Sequence, residues 1–400
     1  MTFVFLIIVL LLLAFNYRYS RGSLSPFIAL AIPYFFIVLA NNLVIYKYGF
    51  YLISDSVLLM LLVGFICFNI GSLFVSAKIP KFSDDDVLER LSRIDMDKIQ
   101  KCLYIIAFLG IVKAIIVFRS GGFTDNIDEN EGTMGNGPIG HLLLLSHSLF
   151  PYLFLKWTYT PKNYRLLIPV VLILFVTFLS LVKYNIIGIF VELFLLVVIY
   201  RKSLVKKGSM ILASLVFLIF TANYALQFLV AGESTESAFI LNHFWTYCSG
   251  SLIVDNYIFN SHHIADVDLS YKLLTFIFAL PNMFLNKLFG VFYYPYIMLE
   301  DLPVGTGFQT SNVVDAIGYL YPSNGNLFDI VMWGLTLIAI GFLNSFLVKI
   351  TRKSTLNISP FLPVYFTYFI FLSFYGTFYI LSAPWETVVY TLIIPKLFKK

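Results

Sequence analysis

Three basic residues lie at or near the ends of apolar stretches. Arg119 is followed by a Ser-Gly-Gly sequence, Lys113 comes before it in the same apolar run, and Lys183 directly precedes the run 184–200. A guanidinium binds phosphate through two parallel hydrogen bonds, and glycines let backbone N–H groups approach an anion. The pattern predicts that Arg119 binds a phosphate-like group, with Lys113 as a second cation beneath it. The alternative for all three is an anchor at the membrane interface.

Two polar stretches late in the chain combine aromatic residues with amides, carboxylates and glycines. These stretches, 231–268 and 300–326, supply the side chains of His243, Tyr247, Asp255, Asn312 and Asp315. Aromatic faces pack on the C–H groups of sugars, and amide and carboxylate oxygens accept hydrogen bonds from sugar hydroxyls. The composition therefore indicates a carbohydrate site, with an ordinary polar loop as the alternative.

Motifs for nucleotide, metal and nucleophilic chemistry are absent from the sequence. It has no Walker A loop, no His-Glu-x-x-His, no Cys-x-x-Cys and no nucleophile elbow. The adjacent His262-His263 cannot chelate a metal as an i, i+4 helical pair would. We therefore expect no metal site and no cofactor.

Composition indicates a membrane protein. Of the 400 residues, 59% are hydrophobic and only 12% are charged, about half the charged fraction of a soluble domain. Mean hydropathy is +0.86, and long apolar runs recur along the chain. The sequence thus predicts an all-α polytopic membrane protein. Its net charge of +5 reflects the topology of its loops and does not indicate a nucleic-acid partner.

About 11 transmembrane helices are predicted, and up to 13 if two interrupted apolar stretches also span. Most runs have roughly the 17–25 residues that a bilayer requires, or slightly fewer, whereas the first and the last are short. The runs are near 2–16, 25–44, 52–76, 102–118, 141–155, 166–182, 184–200, 210–230, 327–348, 359–381 and 385–395. Polar residues interrupt 238–259 and 272–299, so we expect re-entrant or interfacial helices there.

The apolar runs divide the chain into three parts. Residues 1–230 form an N-terminal transmembrane block, 231–326 one large external loop region, and 327–400 the C-terminal transmembrane helices. Most of the 27 Lys and Arg residues fall in loops on one side, and positive charge marks the cytoplasm. The N-terminus is therefore predicted outside and the C-terminus in the cytoplasm, with Arg119 as the one external arginine.

Glu192 lies near the middle of the apolar run 184–200. A carboxylate at the centre of a span costs about 2.5–3.5 kcal/mol on insertion scales. Such residues usually face the interior of the helix bundle. We therefore expect a buried partner for Glu192, either Lys113 or tyrosine hydroxyls.

This organisation resembles that of bacterial oligosaccharide repeat-unit polymerases of the Wzy type, which make O-antigen and capsular polysaccharide. The likeness covers most of the chain and rests on the span count, the late external loop, "SLVKYNIIG" and "QTSNVVDAIGYLYPSNGN". That family has a basic residue before a span, matched by Lys183. It also has an Asn-x-x-Thr motif, whose Asn is matched by Asn312. Pro-Ser-Asn-Gly at 322–325 replaces the family's Asp-Phe-Gly turn.

The resemblance implies a metal-independent membrane glycosyltransferase at the outer face of the bacterial cytoplasmic membrane. Its substrates would be two undecaprenyl-diphosphate-linked oligosaccharides. The growing glycan on one carrier is transferred to the non-reducing end of a fresh repeat unit on the other. Membrane lipids and a chain-length regulator are the other expected partners.

The resemblance also implies roles for particular residues. Without a metal, protein cations must stabilise the departing diphosphate. The residues expected in this role are Arg119 and Lys183, with Lys113 beneath them. A carboxylate or imidazole near the acceptor hydroxyl would act as general base. The candidates for the base are Asp315, Asp255 and His243, and the expected substrate contacts include Asn312 and Tyr247.

Two alternative functions stay open. O-antigen ligases share a similar architecture and differ in the acceptor. A flippase for lipid-linked oligosaccharides, or another secondary transporter, would have a charged central cavity and short external loops. The charges of Lys113 and Glu192 within apolar runs favour transport, whereas the long external segment 231–326 favours an enzyme.

Overall fold

The computed structural model of the protein is dominated by helices. About 81% of the residues that it describes are helical. The structure describes the chain except for residues 77–82, 120–136, 180–182, 207, 211–213, 215–217, 219–220, 223–236, 261–267, 296–298, 308, 323–325, 354–358 and 360. The predicted span 210–230, His262-His263 and the Pro-Ser-Asn-Gly turn therefore lie wholly or mostly outside the described residues.

The helices of the described chain vary widely in length. In chain order they are α1 (Thr2–Tyr19), α2 (Pro26–Leu43), α3 (Asp55–Ser76), α4 (Asp84–Ser92), α5 (Met96–Arg119), α6 (Gly137–Tyr159), α7 (Ile168–Leu179), α8 (Lys183–Tyr200), α9 (Ser237–Asn260), α10 (Leu269–Phe289), α11 (Ala316–Leu320), α12 (Leu327–Lys353), α13 (Leu362–Phe371) and α14 (Ser382–Leu397). Between α10 and α11 lies an antiparallel hairpin of β1 (Leu302–Pro303) and β2 (Thr310–Ser311).

Several of these helices have the length and composition of membrane spans. Within the described residues, α1, α2, α3, α5, α6 and α12 are long and apolar enough to cross a bilayer, and shorter apolar helices cover 164–179, 187–200 and 362–374. The prediction of an all-α membrane protein is confirmed at this level. The count of about 11 spans stays a prediction.

The predicted span 359–381 is not one continuous helix. Helix α13 ends at Phe371, and two 3₁₀ turns follow, at Leu372–Phe374 and Phe378–Ile380. The intervening Gly376 has a weak helix propensity, and tertiary packing decides the conformation of such a short apolar segment. A hydropathy pattern therefore overestimates the length of this helix.

The chain divides into two compact units. The first unit contains Met1–Pro80, Leu241–Lys353 and Phe366–Trp385. Its core includes the fully buried rings of Tyr34, Phe65 and Trp333. The hairpin formed by β1 and β2 is held to the loop before α3, where the Tyr51 N–H donates to the carbonyl oxygen of Val304 at 2.9 Å.

Helices α3 and α12 of the first unit approach each other closely because glycines face the contact. A Cβ atom added to Gly71 would lie 1.9 Å from the carbonyl oxygen of Ile338. Nearby, the hydroxyls of Ser72 and Ser345 are 2.9 Å apart and hydrogen-bonded. Small residues that allow close backbone approach are typical of helix pairs in membranes.

We expect Gly341→Ala to destabilise the protein, because the added methyl group would lie 2.2 Å from the carbonyl oxygen of Phe68. Overpacking of this kind costs about 1–3 kcal/mol. The matched control is Gly334→Ala on the same helix, where the methyl group would meet Cys67 Sγ at 3.4 Å. Thermal unfolding in detergent should give a lower midpoint for Gly341→Ala alone. Equal midpoints would contradict the close packing of α3 on α12.

The second unit contains Lys81–Ile240, Ser354–Tyr365 and Glu386–Lys400. Helix α4 begins with a capping box, in which the Ser83 hydroxyl accepts from the Asp86 N–H at 3.1 Å. Arg201 Nη1 lies 3.2 Å from Asp84 Oδ2, and the Arg201 guanidinium also stacks 4.0 Å above the Tyr159 ring. These contacts hold the amphipathic helix α4 against the apolar helices of the unit.

Candidate functional site

The short helix α11 begins at a buried aspartate. Asp315 has an extended backbone (ψ 165°), and its side chain caps the helix by accepting from the Gly318 N–H. Aspartate is a favoured cap because its carboxylate satisfies a backbone donor that the first helical turn leaves free. Asp315 is 0% exposed to solvent, and its second oxygen, Oδ2, has no hydrogen-bond partner.

A second carboxyl group meets the same glycine from another helix. Asp255, on α9, is also 0% exposed. A Cβ atom added to Gly318 would lie 2.4 Å from Asp255 Oδ1 and 2.7 Å from its Cγ. Neither carboxyl oxygen of Asp255 has a hydrogen-bond partner. Two residues that are distant in sequence therefore place their carboxyl groups together at Gly318.

Tyr34 of α2 completes this buried group. Its side chain is 0% exposed, and its hydroxyl interacts favourably with the Asp315 carboxyl without reaching hydrogen-bond geometry. We refer to Asp255, Asp315 and Tyr34 as the acidic cluster. Buried polar atoms in proteins are nearly always paired, so the two unpartnered oxygens of Asp255 in this cluster indicate a functional site.

Burial controls the charge of the acidic cluster. It raises the pKa of Asp315 to about 7, although the Gly318 N–H and the Tyr34 hydroxyl act in the opposite direction. Burial, followed by the negative charge of Asp315, raises the pKa of Asp255 well above its ordinary value. Two carboxylates this close cannot both ionise without a compensating charge. At least one of them is therefore neutral near pH 7 unless a cation is bound.

A buried lysine contacts the other end of α11. Lys272, on α10, is 3% exposed, and its ammonium donates to the carbonyl oxygen of Tyr321 at 2.8 Å. It also lies 5.9 Å from the centre of the Tyr319 ring. Burial lowers the pKa of Lys272 to about 8. Helix α11 therefore has carboxyl groups at its start and an ammonium group at its end.

Two of the other predicted residues, His243 and Tyr247, lie toward the start of α9, whereas Asn312 is three residues before Asp315. His243 precedes Asp255 on α9 by twelve residues, or about 18 Å of helix rise. The rings of His243 and Tyr247 are 5.3 Å apart, and Tyr247 stacks on Tyr375 at 5.8 Å. Asn312 is half-buried in the loop before α11. The structure thus brings together Asp255 and Asp315 among the predicted bases, with His243 farther along α9.

The predicted cations belong to the second unit. Arg119 is the last residue of α5 and is exposed, whereas Lys113 on the same helix is half-buried. They are six positions apart, or about 9 Å of helix rise. Lys183 begins α8, and its side chain lies outside the described residues. Their role in binding an anion stays a prediction.

The second unit also contains two buried glutamates, each close to a half-buried histidine. Glu192 accepts a hydrogen bond of 2.6 Å from the Tyr365 hydroxyl, and its other oxygen lies 3.6 Å from His147 Nδ1. His141 Nδ1 lies 2.6 Å from Glu386 Oε1. Of the two partners expected for Glu192, the tyrosine hydroxyl is the one observed.

Several residues of these clusters are not predicted from the sequence. Tyr34 stands in the apolar run "AIPYFFIV", where a tyrosine is an ordinary core residue. Lys272 begins the interrupted apolar stretch 272–299, where the sequence pattern assigns it no role. His147 and Glu386 also lie in apolar stretches. An ionisable residue in such a stretch is the sequence signal by which they could have been predicted.

No group of three or more His, Cys, Asp or Glu side chains among the described residues is arranged to hold a metal ion. No protein-family model matches the chain, and neither does any curated protein or solved structure with which it was compared. What the structure defines is the class: an all-α protein with helices suited to a membrane.

We expect Gly318→Ala to disturb the acidic cluster, because its methyl group would overlap the Asp255 carboxyl at 2.4 Å. The overlap should cost about 1–3 kcal/mol and lower the unfolding midpoint. Gly376→Ala is the control, since its methyl group would meet Val313 Cγ1 at an ordinary 3.6 Å. A midpoint for Gly318→Ala that equals the wild-type value would show that Asp255 does not pack on Gly318.

Tyr365→Phe removes the hydroxyl that donates to buried Glu192. Hydrogen bonds to charged groups contribute about 1.5–3 kcal/mol, so we expect a clearly lower unfolding midpoint in detergent. Tyr164→Phe in the same unit is the control, because that side chain is 69% exposed. If both variants unfold at the wild-type temperature, the Tyr365–Glu192 contact does not form.

Proposed function

We propose that the protein is a metal-independent membrane glycosyltransferase that polymerises lipid-linked oligosaccharide repeat units. Its substrates would be undecaprenyl-diphosphate-linked oligosaccharides, joined at the external face of the bacterial cytoplasmic membrane. In this proposal the N-terminus is outside and the C-terminus is cytoplasmic. The observation that carries it is the meeting of Asp255 and Asp315 at Gly318, because both residues come from the segment whose composition indicates a carbohydrate site.

Asp315 is the better of the two carboxyl groups for the role of general base. Its pKa of about 7 is close to the value at which a base is both unprotonated and strong enough to accept a proton at neutral pH. It would take the proton of the acceptor hydroxyl as that oxygen attacks the anomeric carbon. Since Asp315 is closed to solvent, the proposal requires α11 to move when the acceptor binds.

The basic residues have the complementary role. As the glycosidic bond to the carrier breaks, negative charge develops on the departing diphosphate, and fixed cations stabilise it. The proposal assigns this role to Arg119 and Lys183, with Lys113 beneath them. Arg119 is exposed at the end of α5, as a side chain that contacts a lipid headgroup must be. Ligation of the glycan to a different acceptor would use the same groups, so an O-antigen ligase is the nearest alternative enzyme.

Transport of lipid-linked oligosaccharides is the second candidate function. The pairs Glu192–His147 and Glu386–His141 favour it, because ionisable residues among apolar helices often mark proton or ion pathways. A transporter would move the lipid-linked repeat unit across the membrane without lengthening its glycan. The two functions are therefore distinguished by the product.

The test is incubation of purified protein with lipid-linked repeat units in liposomes, without added nucleotide or metal. We expect a ladder of longer glycans on gels, whereas translocation without lengthening would support the transporter. Asp315→Asn should reduce the rate of lengthening about 10²–10⁴-fold, as loss of a general base does. Asp301→Asn, an exposed aspartate of the same segment, should leave it unchanged.

A second pair of variants tests the diphosphate role. Arg119→Ala should slow lengthening about 10²–10³-fold, the usual effect of removing one charge-stabilising group. Arg165→Ala, which removes another exposed arginine of the second unit, should be close to wild type. Near-normal synthesis by Arg119→Ala and by Lys183→Ala would contradict the assignment of these cations.

A further inference from the structure

The acidic cluster contains more negative charge than the described residues around it neutralise. Asp255 has two unpaired oxygens, Asp315 has one, and the Tyr34 hydroxyl is unpaired as well. All three side chains are fully buried. An ionised carboxylate is strongly unfavourable in such a place unless a cation or a proton accompanies it.

No described element packed against α11 supplies that missing charge. Helix α3 packs on Ile317 through Gly64 but has no Lys, Arg or His, and its Asp55 is exposed. The 3₁₀ turn Leu372–Phe374 also contacts α11 and has no charged residue.

Helix α2 contributes only the neutral hydroxyl of Tyr34. Helix α12 contributes the Trp333 indole, whose N–H donates to the carbonyl oxygen of Ile317 at 3.3 Å. Helix α10 contributes Lys272, but its ammonium is bound to the carbonyl oxygen of Tyr321, beyond the end of α11. None of these described groups supplies a positive charge to the carboxyl oxygens, since Tyr34, which interacts favourably with Asp315, is neutral.

The free oxygens also form a suitable donor set. Carboxylate and phenol oxygens are hard ligands, which bind small hard cations and protons and not soft transition metals. They come from three separate elements, α2, α9 and the start of α11, and Asp315 interacts with both of the other side chains. Gly318 has no side chain, which leaves the carboxyl groups room to meet there.

We propose that Asp255, Asp315 and Tyr34 form a binding site for one small monovalent cation, either a proton or Na⁺. Binding of the cation neutralises one of the two carboxylates and stabilises the closed packing of α11 against α9. Loss of the cation leaves two negatively charged carboxylates together and favours separation of α11 from α9. The proposal does not depend on glycosyl transfer, because the cation would bind to the protein in the absence of any glycan substrate.

The test is thermal unfolding of the purified full chain in detergent, in KCl and in NaCl of equal ionic strength. Protonation of Asp315 stabilises the folded state, because the pKa of this carboxyl is higher in the folded than in the unfolded chain. The stabilisation is complete below the ordinary pKa of 3.8 and is lost as the pH rises through the folded-state pKa of about 7. In KCl the midpoint should therefore fall as the pH rises from about 4 to about 7. If Na⁺ binds, NaCl should restore the midpoint at the higher pH in a saturable manner.

The response to cations should depend on the two carboxyl groups. Asp255→Asn and Asp315→Asn are close in shape to the native residues and remove buried charge, so both should fold. We expect each to lose most of the pH and Na⁺ response, whereas Asp301→Asn retains it. The proposal is overturned if the double variant Asp255→Asn/Asp315→Asn responds to pH and Na⁺ as the wild type does. It is also overturned if neither pH nor Na⁺ changes the wild-type midpoint, or if Mg²⁺ raises the midpoint and Na⁺ does not.

A second measurement uses the wild-type protein alone. Dicyclohexylcarbodiimide adds to protonated carboxyl groups in apolar surroundings, and mass spectrometry of peptides locates the product. Labelling of Asp255 or Asp315 that increases as the pH falls supports the site. Suppression by Na⁺ but not by K⁺ identifies Na⁺ as the cation, and no effect of Na⁺ identifies the proton. Labelling that is independent of pH and of Na⁺ argues against the proposal. Because no glycan substrate is present, these results are independent of the polymerisation assay.

Discussion

Two buried carboxyl groups at one glycine are the constraint on which the rest of the first unit depends. The Gly318 N–H donates to Asp315, and the carboxyl of Asp255 packs on the same residue. The loop before α11 must therefore be extended, α9 must approach it closely, and a side chain at position 318 would overlap the Asp255 carboxyl. A buried acid pair with so few donors is costly to fold, and such a cost is characteristic of functional sites.

The buried carboxyl groups of the two units differ in whether they have hydrogen-bond or ionic partners. In the second unit the buried glutamates are satisfied: Glu192 has Tyr365 and His147, and Glu386 has His141. In the first unit the carboxyl oxygens of Asp255 are left without partners. Satisfied pairs mainly support the folded state, whereas an unsatisfied pair is available to a proton, a cation or a substrate hydroxyl. This contrast is why we place the chemistry at Asp255 and Asp315.

The sequence predicts the long helices well and the site only in part. The apolar runs near 2–16 and 52–76 correspond to α1 and α3, because a continuous apolar stretch in a membrane protein leaves few alternatives to a helix. Asp255 and Asp315 stand out as acids among aromatic residues, but their contact depends on how α9 packs against α11. Tyr34 is indistinguishable from core tyrosines in sequence, and the 3₁₀ turns after α13 result from local packing that hydropathy does not report.

The most direct test of the buried acid pair is infrared spectroscopy of the protein in Na⁺-free buffer near neutral pH. A protonated carboxyl group in apolar surroundings has a carbonyl stretch that is separate from the carboxylate bands. Subtraction of the spectrum of the Asp255→Asn/Asp315→Asn double variant removes the signals of Glu192, Glu386 and the exposed acids. We expect a protonated-carboxyl band in the difference spectrum, which decreases as the pH is raised. A difference spectrum with carboxylate bands alone, unchanged by pH, would contradict the buried pair.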